Sequence, residues 1–214
     1  MNIITKYNHI EVVGRMVDGL TFSHTTHFED VYTFTVAVER RSGTVDMLPV
    51  AVIASTINGI LVPGQKLRLT GEIRTYIRRN RENGTAHHIV QLFANKIEPT
   101  GEDDNNRVEL NGAICKPPIF RTTPFGREIC DFMLAVNFDH GKSAYIPCIA
   151  WGKFARLVSM LNVGEKVALT GRFQSRQYMK VLEDGCSTEV RTAYEVSVAD
   201  LCKGGANYVS NGKQ

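Results

Sequence analysis

No run in this sequence approaches the ~18 to 20 consecutive apolar residues that a membrane-spanning helix needs. Residues 1–7 lack the charged and apolar regions of a secretion signal, which leads to the expectation of a cytoplasmic protein. The five cysteines (Cys115, Cys130, Cys148, Cys186 and Cys202) are odd in number and form no Cys-x-x-Cys, so neither a disulfide framework nor a zinc site is indicated. They read instead as small buried hydrophobes. Neither sign of charge dominates: 25 Lys and Arg against 22 Asp and Glu leave a net charge of +3, too little to argue for nucleic acid unless the charges are segregated. There is no Gly-x-x-x-x-Gly-Lys-Ser/Thr loop, no His-Glu-x-x-His, no Gly-x-Ser-x-Gly and no Gly-x-Gly-x-x-Gly, and together these absences disfavour an enzyme and any cofactor. His24, His27, His87 and His88 fall in turns and strand ends rich in polar residues, so no metal is expected of them.

What the chain does have is itself, twice. Residues 8–14 (NHIEVVG) align with 106–112 (NRVELNG) at an offset of 98, and so do 34–38 (FTVAV) and 132–136 (FMLAV). The offset becomes 100 where 61–71 (LVPGQKLRLTG) meets 161–171 (LNVGEKVALTG), so the second copy carries two extra residues after its third strand. Between the copies, 99–106 (PTGEDDNN) has the polar, turn-forming composition of an exposed linker. The expected division is a first domain over 1–99, a second over 106–202 and a flexible tail over 203–214.

Within each copy apolar residues alternate, as in Phe34, Val36, Val38 and in Phe132, Leu134, Val136, the pattern of half-buried strands. Each copy reads as a first strand (9–18; 107–116), a hairpin (31–41 with 44–53; 128–138 with 143–151), a short helix, a long strand and a final strand. The helix is plainer in copy two, where Phe154, Leu157, Val158 and Leu161 fall at helical spacing, than over 55–61 of copy one. Five strands with a helix after the third is the OB-fold, so the expected class is all-β, two tandem five-stranded OB-fold barrels, an architecture that binds oligonucleotides across one face.

The alternation also sorts candidate site residues. On the third strand of copy two, Tyr145, Pro147, Ile149 and Trp151 share the outward row. On the fourth strand the row Arg172, Gln174, Arg176, Tyr178, Lys180 holds three cations, an aromatic and no acid. Rings interleaved with cations suit a single strand, because bases stack on any ring while Lys and Arg neutralise phosphates. The plainer alternative is that Trp151 caps the barrel core and Tyr145 is an ordinary strand tyrosine. In copy one, Arg74, Tyr76 and Arg78 share a face, Arg79 and Arg81 follow, and residues 68–81 hold five arginines against Glu72 alone. That stretch is either a phosphate track with Tyr76 as its one platform or a solvated strand end.

The segments 132–137 (FMLAVN), 145–155 (YIPCIAWGKFA), 163–178 (VGEKVALTGRFQSRQY) and Asp184-Gly185 resemble, in that order, bacterial single-stranded DNA-binding proteins, over nearly all of 106–201. The resemblance implies that Tyr145, Trp151 and Tyr178 stack on bases, that Lys153 belongs to the same block, and that Phe138 stands nearest to a fourth family aromatic. Copy one departs at the stacking positions, with Met47, Ile53 and Arg78 where copy two has Tyr145, Trp151 and Tyr178. Residues 204–214 contain no acid, unlike the acidic tip by which such proteins recruit partners, so recruitment by that route is not expected. What the resemblance implies is a non-enzymatic protein that coats single-stranded DNA in replication, recombination or repair, with a homodimer giving four OB-folds. The alternative is a primosome-like or mobile-element replication module whose first OB-fold serves docking or dimerisation.

Overall fold

The computed structural model describes residues 8–26, 28–79, 84–137, 142–181 and 187–204. The first copy forms β1 (Asn8–Met16), β2 (Thr21–Thr25), β3 (Asp30–Glu39), β4 (Val45–Ile53), β5 (Lys66–Arg79) and β6 (Ala86–Pro99). The second forms β7 (Asn105–Ile114), β8 (Ile119–Thr122), β9 (Glu128–Asn137), β10 (Ser143–Trp151), the helix α1 (Lys153–Ser159), β11 (Lys166–Val181) and β12 (Thr188–Lys203). All twelve strands join one sheet in the order β2-β3-β4-β6-β5-β1-β7-β11-β12-β10-β9-β8. Additional β1–β3 and β7–β9 pairings close each half into a ring of five strands with the two ends crossing at the first strand. That crossing dictates Gly14 and Gly112, since a Cβ there would run into the carbonyls of Ala37 and Ala135, and the repeat keeps both.

The alternating rows face the ring interiors, with Phe34, Leu48, Leu67 and Leu92 in one half and Leu134, Ile146, Leu169 and Phe173 in the other. The helix follows the same division. In the second half α1 buries Ala155 and Val158 and packs Phe154 and Leu157 against the core. In the first half it shrinks to a single 3₁₀ turn, Ala54–Thr56. There only Ile57 and Leu61 reach the core, and Gly59, at φ +88°, breaks any helical run. Two strands escape the sequence pattern: β2 and β8 are exposed at every position and pair only with β3 and β9, so no alternation marks them. The first strands also end at Met16 and Ile114, two residues earlier than expected.

The halves meet through β1 and β7, which pair antiparallel with Ile10 opposite Val108. These are equivalent positions of the repeat, so the seam has the symmetry of a two-fold dimer written into one chain. Asn8 and Asn106 extend the ladder at its two ends: Asn8 bonds the carbonyl and amide of Ile73 at 2.8 and 2.9 Å, and Asn106 does the same for Phe173 at 2.6 and 2.9 Å. The acidic segment between the halves is tied down. Asp104 pairs with Lys66 at 2.9 Å and accepts the Glu39 amide at 2.7 Å, while Glu102 pairs with Arg68. No helix among the described residues is long and apolar enough to cross a membrane.

Candidate nucleic-acid interface

Beyond Gly71 and Gly171, β5 and β11 outrun their β1 and β7 partners and carry a free edge, and the opposite half settles against each one. The Tyr145 amide donates to Thr75 Oγ1 at 2.9 Å, and the Met47 amide donates to Ser175 Oγ at 3.0 Å. Tyr145 and Met47, like Thr75 and Ser175, are equivalent in the repeat, so the two bonds are related by the pseudo-two-fold. A third contact is not. Asp46, fully buried, accepts from Arg40 Nε at 2.7 Å and Nη2 at 2.5 Å, and from the Ser175 amide at 2.9 Å. Its equivalent in copy two is Ala144. The acid on the otherwise apolar inward row Asp46, Leu48, Val50, Val52 is the sequence signal for this contact.

Tyr145 (51% exposed) and Trp151 (37%) stand at the two ends of β10. Six steps along the strand separate them, roughly 20 Å. Between them the outward row is interrupted, because Ile149 is only 2% exposed and Pro147 is half-buried. Tyr178 (38% exposed) lies on the outer arm of β11, with the Arg176 guanidinium 5.9 Å from its ring. Lys153 begins α1, two residues after Trp151, its ammonium 4.7 Å from the Phe154 ring, and Lys180 is exposed near the end of β11. Phe138 and Arg81 lie outside the described residues, as do His27, Cys186 and 205–214.

The cations divide into engaged and free. Arg172 is drawn into the seam rather than the open face. Its Nη2 donates to Gln174 Oε1 at 3.1 Å and its Nε is buried without a partner. Burial, reinforced by neighbouring Arg40 and opposed by Asp46, lowers its pKa from the ordinary arginine value. Arg176 pairs with nearly buried Glu195 at 3.3 Å, and Gln174 donates to the same carboxylate at 2.9 Å. In the first half Arg74 lies 3.4 Å over the Phe93 ring and pairs with Glu72 at 2.5 Å. Tyr76 (45% exposed), Arg78 and Arg79 continue the arm in the open, and among the described residues Arg78, Arg79, Lys153 and Lys180 make no ion pair. The exposed aromatics thus stand on β10 and on β11, two strands with β12 between them, and the cations without an ion pair among the described residues include Arg78 and Arg79 at the end of β5, Lys180 near the end of β11 and Lys153 at the start of α1. No cluster of three metal-ligating side chains occurs among the described residues. His24 on β2 and the His87–His88 pair on β6 lie on strands that do not neighbour each other.

The model of the single-strand binding protein family matches residues 105–202. Single-stranded DNA-binding protein 3 of Listeria innocua serovar 6a is 39% identical over 80 residues, 34% of this chain and 50% of that protein. Single-stranded DNA-binding protein A of Bacillus subtilis is 35% identical over 80 residues, 46% of its length, so the chain spans about half of each of these two relatives. The crystal structure of the wild-type single-stranded DNA binding protein from Thermus aquaticus shares the fold, with a TM-score of 0.71 at 21% identity over 96% of both chains. Single-stranded DNA-binding protein 2 of Listeria innocua is 30% identical over 126 residues, which cover 50% of this chain and 79% of that protein; on that match the chain belongs to the single-strand binding protein family.

Proposed function

We propose that this protein binds single-stranded DNA without strong sequence preference and protects it during replication, recombination or repair, as a non-enzymatic cytoplasmic protein that needs no cofactor. The observation that carries the reading is the exposure of Tyr145, Trp151 and Tyr178 on one half, with Lys153 and Lys180, which make no ion pair among the described residues, each two positions from a ring. Rings of this kind stack on bases at about 1 to 3 kcal/mol each, and free cations hold the phosphates. Residues 1–99 and 106–202 act as two OB-fold domains, the second contributing the stacking surface and the first a basic arm carrying Arg74, Tyr76, Arg78, Arg79 and Arg81. Arg172 and Arg176 serve mainly to fix β11. A homodimer presenting four OB-folds is the assembly, and light scattering at micromolar concentration tests it.

The decisive experiment uses the single tryptophan. Titration with oligo-dT should quench its fluorescence, because Trp151 is itself a stacking platform. Fluorescence that stays constant while the oligonucleotide demonstrably binds removes Trp151 from the site; absence of binding overturns the function. The docking reading of the first half retains one supporting observation, that its Thr75 and Asp46 grip the second half's β10 and β11.

A further inference from the structure

The turn joining β8 to β9 displays Phe125, 92% exposed, at its tip. The turn is held tightly. Gly126 N donates to the Thr123 carbonyl at 2.9 Å, Thr123 N to the Arg127 carbonyl at 2.8 Å, and Arg127 N to Thr123 Oγ1 at 3.0 Å. Pro124 presets the backbone at the second position of the turn, and Gly126 takes φ +76°. A rigid turn that leaves a whole phenyl ring in water forgoes the gain of burying it, which an occupant would recover.

The turn continues the stacking face. Trp151 pairs with Ile129, and the next amide, Gly152 N, donates to the Glu128 carbonyl at 3.0 Å, so Arg127 and Lys153 flank one hydrogen bond. Among the described residues neither cation has an ion-pair partner, and the nearby acids are occupied, Glu128 by Arg156 at 2.6 Å and Asp131 by Arg121 at 2.8 Å. Two aromatics, Trp151 and Phe125, therefore sit on either side of two free cations. The first half supplies the contrast. Its corresponding turn also exposes a phenylalanine, Phe28 at 94%, but Glu29 and Asp30 follow it and Ile53 stands where Trp151 does.

Building on the function proposed above, we propose that Phe125 and Arg127 form a further subsite for single-stranded DNA, which extends the strand's path past Trp151. A base stacks on Phe125 and its phosphate lies between Arg127 and Lys153. The acidic turn around Phe28 repels phosphate and takes no part.

The test measures the affinity of the full chain for labelled oligo-dT of about four and about sixteen nucleotides, the span of site sizes known for OB-folds. Phe125→Ala should weaken the longer strand about five- to tenfold and leave the shorter unchanged, since the short strand is satisfied by the β10 and β11 aromatics. Arg127→Ala should lower the slope of log K against log salt by about 0.7 on the long strand. Phe28→Ala should match wild type. At 92% exposure Phe125 contributes little to folding, and circular dichroism checks that both variants stay folded. Wild-type affinity for the long strand in Phe125→Ala, while Trp151→Ala in the same series binds more weakly, overturns the subsite and spares the function. Equal losses in Phe125→Ala and Phe28→Ala overturn it also, since the charge contrast would then have no effect. A wild-type chain that binds neither length overturns the function, and the subsite with it.

Discussion

Removing the Asp46 carboxylate should be among the most costly single changes in the molecule. Asp46 is fully buried and takes two hydrogen bonds from Arg40 and one from the Ser175 amide of the other half. Its loss leaves the amide unsatisfied and a guanidinium uncompensated beside a second one, Arg172. Breaking a fully buried pair costs about 3 to 5 kcal/mol. The Arg40 side chain is 24% exposed and can turn partly to water, so the lower end applies, about 3 kcal/mol for Asp46→Ala. Copy two carries Phe138 and Ala144 at the equivalent positions, which suggests a rescue. The double variant Arg40→Phe/Asp46→Ala exchanges the ion pair for an apolar one and should recover all but the cost of the stranded Ser175 amide, about 1 to 2 kcal/mol. Urea unfolding followed by both Trp151 fluorescence and circular dichroism reads each value. A loss under about 1 kcal/mol in the single variant, or a double variant no better than the single, refutes the assignment of the seam's stability to this pair.

Trp151→Ala and Tyr178→Ala should each weaken binding to poly-dT by about 1 to 3 kcal/mol with unchanged circular dichroism, as anisotropy titration would show. Arg78→Ala/Arg79→Ala should lower affinity equally for dT and dA strands and flatten the salt slope by about 0.7 for each phosphate no longer neutralised, which separates phosphate binding from stacking. Burial pushes the Cys130 thiol up to about 11 and Cys148 well above the usual range, so both should resist a thiol reagent at pH 8 until the chain is unfolded. Partial desolvation, although the side chain keeps contact with solvent, and then Lys116 lower the His88 pKa. Its folded state therefore binds fewer protons than the unfolded chain: its contribution falls as pH drops below about 6.5 and levels off beneath the folded pKa. Nuclear magnetic resonance titration should find a His88 midpoint below that value, and His88→Gln should flatten the acid side of the stability curve.

The sequence disclosed the repeat, the alternating rows and therefore the two rings, because each inward residue serves a core and a core tolerates few alternatives. Asn8 and Asn106 illustrate how much a single aligned pair can hold, since both close the same gap in the ladder. What escaped were strands without a buried row and side chains met by the other half. β2 and β8 are marked by no buried row. Parity placed Arg172 with Tyr178 and Lys180, but the other half comes down on β11 at Ser175, so the row is inside at one end and outside at the other. Ile149 fails the same test on β10.

The ion pairs show which members of such a row already have a carboxylate partner. Five arginines over 68–81 look like a continuous track, yet Arg68 pairs with Glu102, an acid that the sequence assigns to a linker, and Arg74 is held between Glu72 and Phe93. In the second half Arg176 is met by Glu195 from the adjacent strand. An arginine already paired brings a partly neutralised charge to a phosphate and so gains less from it than an unpaired one. In the binding proposed above, phosphates are better served by cations that make no ion pair among the described residues, and those on the arms and beside the exposed rings lie at the outer end of β5, at Lys180 and around the start of α1. Two of those three places are in the half that also exposes the rings. The first half, with Met47, Ile53 and Arg78 at the equivalent positions, also departs at Asp46, which accepts the Ser175 amide, while its Thr75 bond to the Tyr145 amide has its counterpart in the Ser175 bond to the Met47 amide. If Tyr145, Trp151 and Tyr178 stack as proposed, a barrel that carries Met47, Ile53 and Arg78 in their places and contacts both β10 and β11 is better explained as the support of that surface than as a weakened duplicate of it.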